Sequence, residues 1–497
     1  MPAPSAWRWA PGAAWLAIAV LLSVAALFRY IERDDGQYVG AVALMRTGLP
    51  YRDFAYLQTP LQPLLLAPLA WIAQDWLYPA LRLVNALAGA LAVGLLYRIV
   101  TEAGGGRRVA ALAAACLLTS HVFLFGATQA RNDMVPLALH AAGLWLLLRV
   151  WRGNSGAGGA LVAGLLLGAA ASAKISYGVP AATAGIAALL AWRQLGARRV
   201  AAFALGGIAG LAPCAWFWAI APDAFTFGVF RYSMEAPSEW RVLIGQPQML
   251  GPPLRLARSL LFLVQGAGLV ALALVVADRV RRPRAGGALL LLDAVILGGV
   301  IAGAMPAPAY PQYWIPVLPA LFARFALLLS ERGELGRPGK VALSLLICAG
   351  LYQTVADVGA HLWSGRAPPI EARGDARWAG RMLDARGVPG AVAGLAPEAL
   401  VSSGRPLDRR FVTGPFLFRT RNILTPGEAQ TLHVVTQRNF AAELDRDPPA
   451  GLLLGSEARA LPGMPAGLDG LLADWARQRG YTPHRAPSGR RTLWVRP

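Results

Sequence analysis

The chain has 497 residues, of which 56% are hydrophobic and only 15% are charged. Because soluble globular proteins carry about 25% charged residues, this composition excludes an ordinary soluble enzyme and predicts a membrane protein. The net charge of +20 does not indicate a nucleic-acid-binding face, since much of it falls in short clusters between apolar segments. The three cysteines are far apart inside apolar segments, so neither a disulfide framework nor a thiolate metal site is expected.

Apolar segments long enough to cross a bilayer, about 17–25 residues each, recur over the first three quarters of the chain. They predict an all-α polytopic membrane bundle of about eleven transmembrane helices. The first is expected to be an uncleaved anchor, because its apolar core is longer than the ~7–15 residues of a signal peptide. The predicted spans cover residues 12–29, 79–100, 108–126, 134–151, 157–173, 178–192, 200–220, 257–277, 286–304, 313–330 and 340–358.

Basic residues gather in every second connection between these spans, at residues 98–108, 149–152, 193–199, 279–284 and 332–340. Cytoplasmic loops carry an excess of arginine and lysine, so these connections are predicted to be cytoplasmic. The first long loop, residues 30–78, then lies on the outer face of the cytoplasmic membrane. We expect the same side for the loop at residues 221–256 and for the chain after about residue 359.

The first long loop contains two adjacent carboxylates, Asp34 and Asp35, in the sequence DDGQYVGAVALMRTG. Its apolar spacing, with acids at the start, predicts a short helix. The following TPLQPLLLAPLAWIAQ is too interrupted by proline to span and predicts a helix along the membrane interface. Helix capping at a wet membrane surface is one explanation of the acidic pair. We favour a catalytic or ligand-binding role, because one carboxylate suffices for a cap.

The amino-acid composition changes after about residue 360, where the chain is rich in Arg, Pro and Gly and has only short apolar segments. EARGDARWAGRMLDARG predicts an amphipathic helix, and GAVAGLA, GLLLG and RRTLWVRP predict strands. We therefore predict a polytopic transmembrane domain over residues 1–359 and a small extracytoplasmic α/β domain over residues 360–497.

The first long loop resembles that of the integral-membrane GT-C glycosyltransferases, in particular the bacterial branch of the protein O-mannosyltransferase and aminoarabinose-transferase superfamily. In that family an Asp-Glu pair precedes a Gly, an aromatic residue, a helix, Gly-x-Pro-Tyr-x-Asp-Phe and a Pro-Pro-Leu-like stretch. Here Asp34 matches the family's Asp, Asp35 replaces its Glu, and Tyr51 and Asp53 fall in the matching turn. The chain departs slightly from the pattern in having TPL in place of Pro-Pro-Leu.

Three further matches follow in chain order, so that the resemblance covers about residues 1–360. ARNDMVPLALHAAGLWLL, with Arg131 and Asp133, resembles the family's Arg-x-Asp-Met stretch at the fourth span. AKISYGVPA, with Lys174, resembles its lysine-rich outer turn, and YPQYWIPVLPAL, with Tyr310 and Tyr313, resembles its Tyr-then-Pro signature. The last part of the chain matches no family pattern.

The resemblance implies an inverting glycosyltransferase that takes a sugar from a polyprenyl-phosphate-linked donor. The predicted topology leads to a compatible expectation. Soluble nucleotide sugars are not expected outside the cytoplasmic membrane, so an outer active site needs a donor that is carried in the lipid. The expected partners are this donor, membrane lipid, and a glycan, lipid or protein acceptor, with no nucleic acid.

Such a transfer needs a base and cations. Asp34 is predicted to accept the proton of the acceptor hydroxyl. Asp35 is predicted to assist it, by like-charge repulsion or by holding a metal ion or the acceptor hydroxyl. The departing phosphate needs cations because negative charge grows on it in the transition state. The candidates for this role are Lys174 and Arg131, followed by Arg231 and Arg241.

Five more residues are predicted to contact the sugar or acceptor or to shape the loops: Asp53, Tyr51, Asp133, Tyr310 and Tyr313. The two late tyrosines could instead belong to an interfacial aromatic belt, and Asp53 could stabilise its own turn. The five histidines show no metal-ligand spacing, but a divalent cation, Mg²⁺ or Mn²⁺, held by carboxylates is left open.

The predicted cations also have structural explanations. Arg131 and Asp133 could form an ion pair at the start of the fourth span, and Lys174 could extend along the bilayer to the surface. Arg231 and Arg241 could be solvated loop residues.

Other functions stay open at the level of the sequence. A transporter or flippase of lipid-linked sugars would favour ionisable residues deep inside the spans and broken helices in paired positions. A polysaccharide polymerase or ligase would share the topology and donor chemistry. A non-catalytic scaffold is the remaining alternative.

Overall fold

The computed structural model describes residues 11–282, 286–333, 336–462 and 464–497. Up to residue 363 the described chain is helical. Its helices are α1 (Pro11–Phe28), α2 (Arg33–Leu44), α3 (Leu61–Ile72), α4 (Leu77–Glu102), α5 (Arg107–Leu118), α6 (His121–Ala127), α7 (Met134–Trp151), α8 (Ala157–Ala173), α9 (Gly178–Leu190), α10 (Trp192–Leu195), α11 (Ala197–Gly210), α12 (Ala212–Ile220), α13 (Pro222–Thr226), α14 (Tyr232–Leu243), α15 (Pro252–Val264), α16 (Gly268–Arg281), α17 (Ala288–Ala304), α18 (Leu318–Arg332) and α19 (Arg337–Trp363). Parts of two predicted cytoplasmic connections, residues 283–285 and 334–335, lie outside the described residues.

Within the described residues, four helices are long and apolar enough to cross a membrane: Gln74–Glu102, Met134–Trp151, Pro311–Glu331 and Arg337–Trp363. Four bent helix pairs raise this number to eight if each pair is one span. The predicted count of about eleven spans is therefore not confirmed.

The difference has a local cause, because several apolar segments do not form one straight helix. The segment predicted at 108–126 bends by 67° between α5 and α6, and the segment at 257–277 bends by 101° between α15 and α16. In the second case Gly266 adopts a φ of +128°, which a right-handed helix cannot contain. Other apolar helices, such as Ala157–Ala173 and Ala288–Ala304, are shorter than 18 residues.

Helices α8 and α11 pack backbone against backbone through glycines. A Cβ atom on Gly164 would lie 2.0 Å from the carbonyl oxygen of Phe203, and a Cβ on Gly206 would lie 2.0 Å from that of Leu161. Real Cβ atoms do not approach a backbone oxygen this closely, so any larger residue must push the two helices apart. Small residues at such positions are typical of helix pairs in membranes.

We expect Gly164→Ala to destabilise the protein by about 1–3 kcal/mol, the usual cost of overpacking a tight contact. The matched control is Gly158→Ala in the same helix, where the added methyl group meets open space. This control should gain about 0.5–1 kcal/mol from the better helix propensity of alanine. Thermal unfolding in detergent checks both, and equal midpoints for the two variants would contradict the packing explanation.

The first long loop forms the two predicted short helices, α2 and α3. The cap of α2 is Glu32 and not the Asp pair, since the Glu32 carboxylate accepts the Asp34 backbone N–H at 2.8 Å. Helix α3 exposes Leu65, Trp71 and Ile72, as expected for a helix that lies at the membrane interface. Helix α2 is largely buried, so its side chains are held in fixed positions.

The chain from Pro368 onward, called here the C-terminal region, surrounds a four-stranded sheet of order β1-β2-β4-β3. Strand β1 pairs in parallel with β2, and the other pairs are antiparallel. Three strands match the predicted ones; the third, TPHR, was not predicted because it is polar and contains proline. The elements are α20 (Pro368–Ala385), β1 (Val392–Ala393), α21 (Pro415–Phe418), α22 (Pro426–Thr431), α23 (Phe440–Arg446), β2 (Gly451–Leu454), α24 (Gly467–Gln478), β3 (Thr482–Arg485) and β4 (Thr492–Val495).

The C-terminal region packs directly on helix α2. A Cβ atom on Gly36 would lie 2.6 Å from the Oε2 atom of Glu398, and a Cβ on Gly40 would lie 3.0 Å from the carbonyl oxygen of Val412. The two glycines therefore let the C-terminal region approach the backbone of α2. This contact encloses the acidic end of the helix between both parts of the chain.

Candidate active site

The two adjacent carboxylates have different surroundings. Asp35 is completely buried and accepts hydrogen bonds from the Tyr78 hydroxyl at 2.8 Å, the Arg82 guanidinium at 2.8 Å and the Ala130 backbone N–H at 2.9 Å. Its partner Arg82 is equally buried. These contacts saturate Asp35, so its geometry fits a structural ion pair and not the predicted role beside a reacting hydroxyl.

Asp34 faces a cavity. Its side chain is 19% exposed and pairs with the Nη1 atom of Arg131. The same Nη1 atom donates to the Glu32 carboxylate at 2.7 Å, so two carboxylates share one arginine. Burial and the neighbouring charge of Asp34 raise the pKa of Glu32 to about 7. Glu32 was not predicted as a site residue, although it stands two positions before Asp34.

Arg131 and Lys174 are brought together with Asp34, as predicted, but both are already neutralised. Arg131 Nε donates to Asp133 at 2.8 Å, and Lys174 pairs with the other oxygen of the same carboxylate. Lys174 is 3% exposed, so it does not extend to the surface. The row Asp34, Arg131, Asp133 and Lys174 alternates in charge and holds one wall of the cavity in place.

The cavity has a volume of ≈ 520 Å³ and is walled by six parts of the chain. These are the first long loop, the segment from α6 to the start of α7, the turn after α8, the loop around α14, the tyrosine segment before α18, and the C-terminal region. The residues that line it are Glu32, Arg33, Asp34, Gln37, Tyr38, Leu57, Gln58, Phe125, Arg131, Lys174, Tyr232, Ser233, Pro237, Trp240, Arg241, Ile244, Gln246, Tyr310, Pro311, Gln312, Tyr313, Phe416, Arg419, Arg459, Ala460, Leu461 and Pro462.

Five residues of this cavity carry buried polar atoms without a hydrogen-bond partner in the protein. They are Oε1 of Gln37, the hydroxyl of Tyr232, Nε of Arg241, Oε1 of Gln312 and Nε of Arg419. Buried polar groups are normally hydrogen-bonded, because an unmade bond costs about 1–3 kcal/mol. Their convergence on one cavity therefore indicates a site for a polar ligand or for ordered water.

The two loop arginines differ in position. Arg241 lines the cavity, stacks on the ring of Tyr310 at 5.8 Å and approaches its hydroxyl at 3.2 Å. Arg231 instead pairs with Glu235 and with Glu428 of the C-terminal region, and it does not line this cavity. Of the two loop arginines predicted to bind the leaving phosphate, only Arg241 therefore stays a candidate.

Of the remaining predicted residues, the two late tyrosines line the cavity, whereas Tyr51 and Asp53 do not. Tyr310 and Tyr313 line the cavity, with ring centres 6.1 Å apart. Tyr51 is buried and its hydroxyl donates to the Gln58 carbonyl. Asp53 pairs with Arg52 and accepts the Leu49 backbone N–H at 2.7 Å, next to a second cavity of ≈ 660 Å³ near the other end of α2.

The described part of the chain contains no group of three His, Cys, Asp or Glu side chains that could hold a metal ion. Asp35 does not line the cavity, and its carboxylate accepts hydrogen bonds from Tyr78, Arg82 and the Ala130 backbone N–H.

The comparisons with known proteins agree with this architecture. Residues 57–218 match the family model described as dolichyl-phosphate-mannose-protein mannosyltransferase. The comparison with curated proteins gives no match. The chain is similar to the crystal structure of ArnT from Cupriavidus metallidurans bound to undecaprenyl phosphate, with 15% identity, a TM-score of 0.62 and 97% of each chain covered. The apo state of the same protein has a TM-score of 0.59 at the same identity and coverage.

At this level of identity the structural similarity establishes the fold. The match over residues 57–218 includes the motifs with Arg131 and Lys174, and the shared fold covers 97% of the chain. Together these findings confirm the resemblance predicted from the first long loop: the chain is a multi-pass membrane protein with the fold of the GT-C glycosyltransferase superfamily.

Proposed function

We propose that the protein transfers a sugar, with inversion, from a polyprenyl-phosphate-linked donor to an acceptor hydroxyl on the outer face of the cytoplasmic membrane. The observation that carries this proposal is the cavity that is lined both by the Asp34 carboxylate and by arginines, such as Arg241, that have no carboxylate partner among the described residues. The similarity to ArnT bound to undecaprenyl phosphate supports a lipid-linked donor for the same fold. The acceptor is a glycan, a lipid or a protein.

In the proposed reaction, the acceptor oxygen forms a bond to the anomeric carbon while the bond from that carbon to the phosphate oxygen breaks. The acceptor proton moves to the Asp34 carboxylate. The electron pair of the broken bond stays with the polyprenyl phosphate, which leaves as a dianion. Attack from the face opposite the phosphate accounts for the inversion.

Arg241 is our first choice for binding the leaving phosphate, because it lines the cavity and has no carboxylate partner within the described residues. Arg131 and Lys174 are neutralised by Glu32, Asp34 and Asp133. We assign them to holding the carboxylates in position. A cation without a counter-charge stabilises growing negative charge more than one that is already paired.

A flippase would need ionisable residues deep within the spans. Buried arginines of the membrane helices include Arg82 in α4, which pairs with Asp35, and Arg324 in α18, which pairs with Asp278 at 2.6 Å and with Asp293 at 3.2 Å. Asp278 lies three residues before the end of α16, so this group is near the predicted cytoplasmic ends of the helices. Its position fits a structural pair better than a transport path.

The test of this function is sugar transfer by the purified protein in nanodiscs. Radiolabelled polyprenyl-phosphate sugars are incubated with candidate glycan, lipid and protein acceptors, and NMR of the product determines its anomeric configuration. We expect an inverted glycoside from the lipid-linked donor and none from nucleotide sugars. A product of retained configuration would refute the mechanism, and translocation of the donor without any glycosidic product would favour the flippase.

We further expect the rate of transfer to rise as the pH increases through about 7. Below this pH Glu32 binds a proton, because its pKa is raised to about 7 by burial and by Asp34. Arg131 then pairs mainly with Asp34 and makes that carboxylate a weaker base. The Glu32→Gln variant should lose this inflection and stay at the low rate. An unchanged inflection near pH 7 in the variant would assign it to another group.

A further inference from the structure

We propose that Arg419 of the C-terminal region forms, with Arg241, the binding site for the phosphate of the polyprenyl carrier. This inference rests on the proposed function and adds a residue that no sequence pattern indicated. It gives the C-terminal region a direct part in substrate binding, beyond covering the cavity.

The position of Arg419 is fixed by aromatic rings from both parts of the chain. Its guanidinium carbon lies 4.6 Å from the ring centre of Phe416 and 5.0 Å from that of Trp240. Trp240 directly precedes Arg241 in α14, and both arginines line the same cavity. Stacking occupies the flat faces of the guanidinium and leaves its N–H edge available to a ligand.

Arg419 forms no ion pair with a carboxylate of the described residues, and its Nε atom is buried without a hydrogen-bond partner. Arg33, by contrast, pairs with Glu457 at 2.6 Å. Arg419 is partly buried, and a partly buried cation without a paired carboxylate carries a desolvation cost. An anionic ligand would remove that cost.

A phosphate fits this position better than a carboxylate or sulfate ester would. The leaving polyprenyl phosphate becomes a dianion when the sugar departs, and Arg241 and Arg419 supply two matching positive charges. Tyr232, which lines the same cavity near Arg419, supplies a neutral donor: burial raises the pKa of its hydroxyl to about 12, although Arg419 acts in the opposite direction. The hydroxyl therefore keeps its proton at neutral pH and can donate it in a hydrogen bond to a phosphate oxygen.

The experiment measures binding of undecaprenyl phosphate and of uncharged undecaprenol to the full protein in nanodiscs. Wild type should prefer the phosphate. Arg419→Gln should weaken phosphate binding about ten- to a hundredfold, the range for hydrogen bonds to a charged group, and leave undecaprenol binding unchanged. Arg419→Lys keeps the positive charge but lacks the planar guanidinium group, so it should recover part of the preference for undecaprenyl phosphate over undecaprenol.

The matched control is Arg421→Gln. Arg421 is exposed two positions further along, and its side chain donates to Gln437 outside the cavity. This variant should bind both lipids like wild type. If Arg241→Gln loses the phosphate preference and both Arg419 variants keep it, the inference is overturned while the proposed function stands. If wild type binds undecaprenol as tightly as undecaprenyl phosphate, the proposed donor chemistry itself fails.

Discussion

Replacing Asp34 by Asn is expected to reduce sugar transfer about 10²–10⁴-fold, the usual contribution of a general base, with the fold intact. Asparagine has the same size but cannot accept the acceptor proton. Arg131 keeps two carboxylate partners in the variant, Glu32 and Asp133, so the wall of the cavity should stay in place. Single-turnover rates with bound donor separate the loss in chemistry from any loss in binding.

The control for this prediction is Asp223→Asn, which removes an exposed carboxylate of the loop around α13 and should leave transfer unchanged. Donor binding by the Asp34 variant should remain close to that of wild type, because the phosphate is bound by other residues. Transfer at a near wild-type rate in Asp34→Asn would remove this residue from the role of base. Glu32, which shares Arg131, would then be the next carboxylate to test.

The second large effect is expected at the neighbouring carboxylate and concerns stability. Arg82→Met should destabilise the protein by about 3–5 kcal/mol, because it leaves Asp35 buried without its counter-charge. Arg82 also donates to backbone carbonyl groups at the end of α1, and these lose their partner. The measurement is the thermal midpoint in detergent, with the yield of folded protein as a second readout.

The double variant Asp35→Asn with Arg82→Met distinguishes the ion pair from the other contacts of Arg82. It removes both charges, so part of the lost stability should return if the unpaired carboxylate is the main cause. A double variant as unstable as the single one would assign the loss to the carbonyl contacts. Donor binding by the folded fraction of either variant should resemble that of wild type.

The sequence singled out the acidic pair but could not tell which of its two carboxylates lines the cavity. Adjacent residues of a helix point about 100° apart, so Asp34 and Asp35 must differ in surroundings. Which one is buried depends on Arg82, which lies 47 positions away on another helix. A single sequence contains no signal for that pairing.

The contacts of the cationic residues could not be predicted from the sequence either. Arg131 and Lys174 were predicted to bind the phosphate and Asp133 to contact the sugar or acceptor or to shape a loop, and the structure places the three side chains together. Their mutual neutralisation could not be predicted, because charge balance depends on distances across helices. Arg419 carried no signal at all, since it stands in the part of the chain that resembles no family pattern. The breaks within apolar segments were missed for a related reason: hydrophobicity does not reveal a backbone turn such as that at Gly266.

The close approach at Gly36 and Gly40 limits how this protein can be recombined with its relatives. Glu398 and Val412 rest on the backbone of α2, where a methyl group would already collide. A chimera that exchanges only the last 130 or so residues would have to reproduce this surface or tilt the helix that carries Asp34. Residues 33–44 and the C-terminal region are therefore best exchanged as one module.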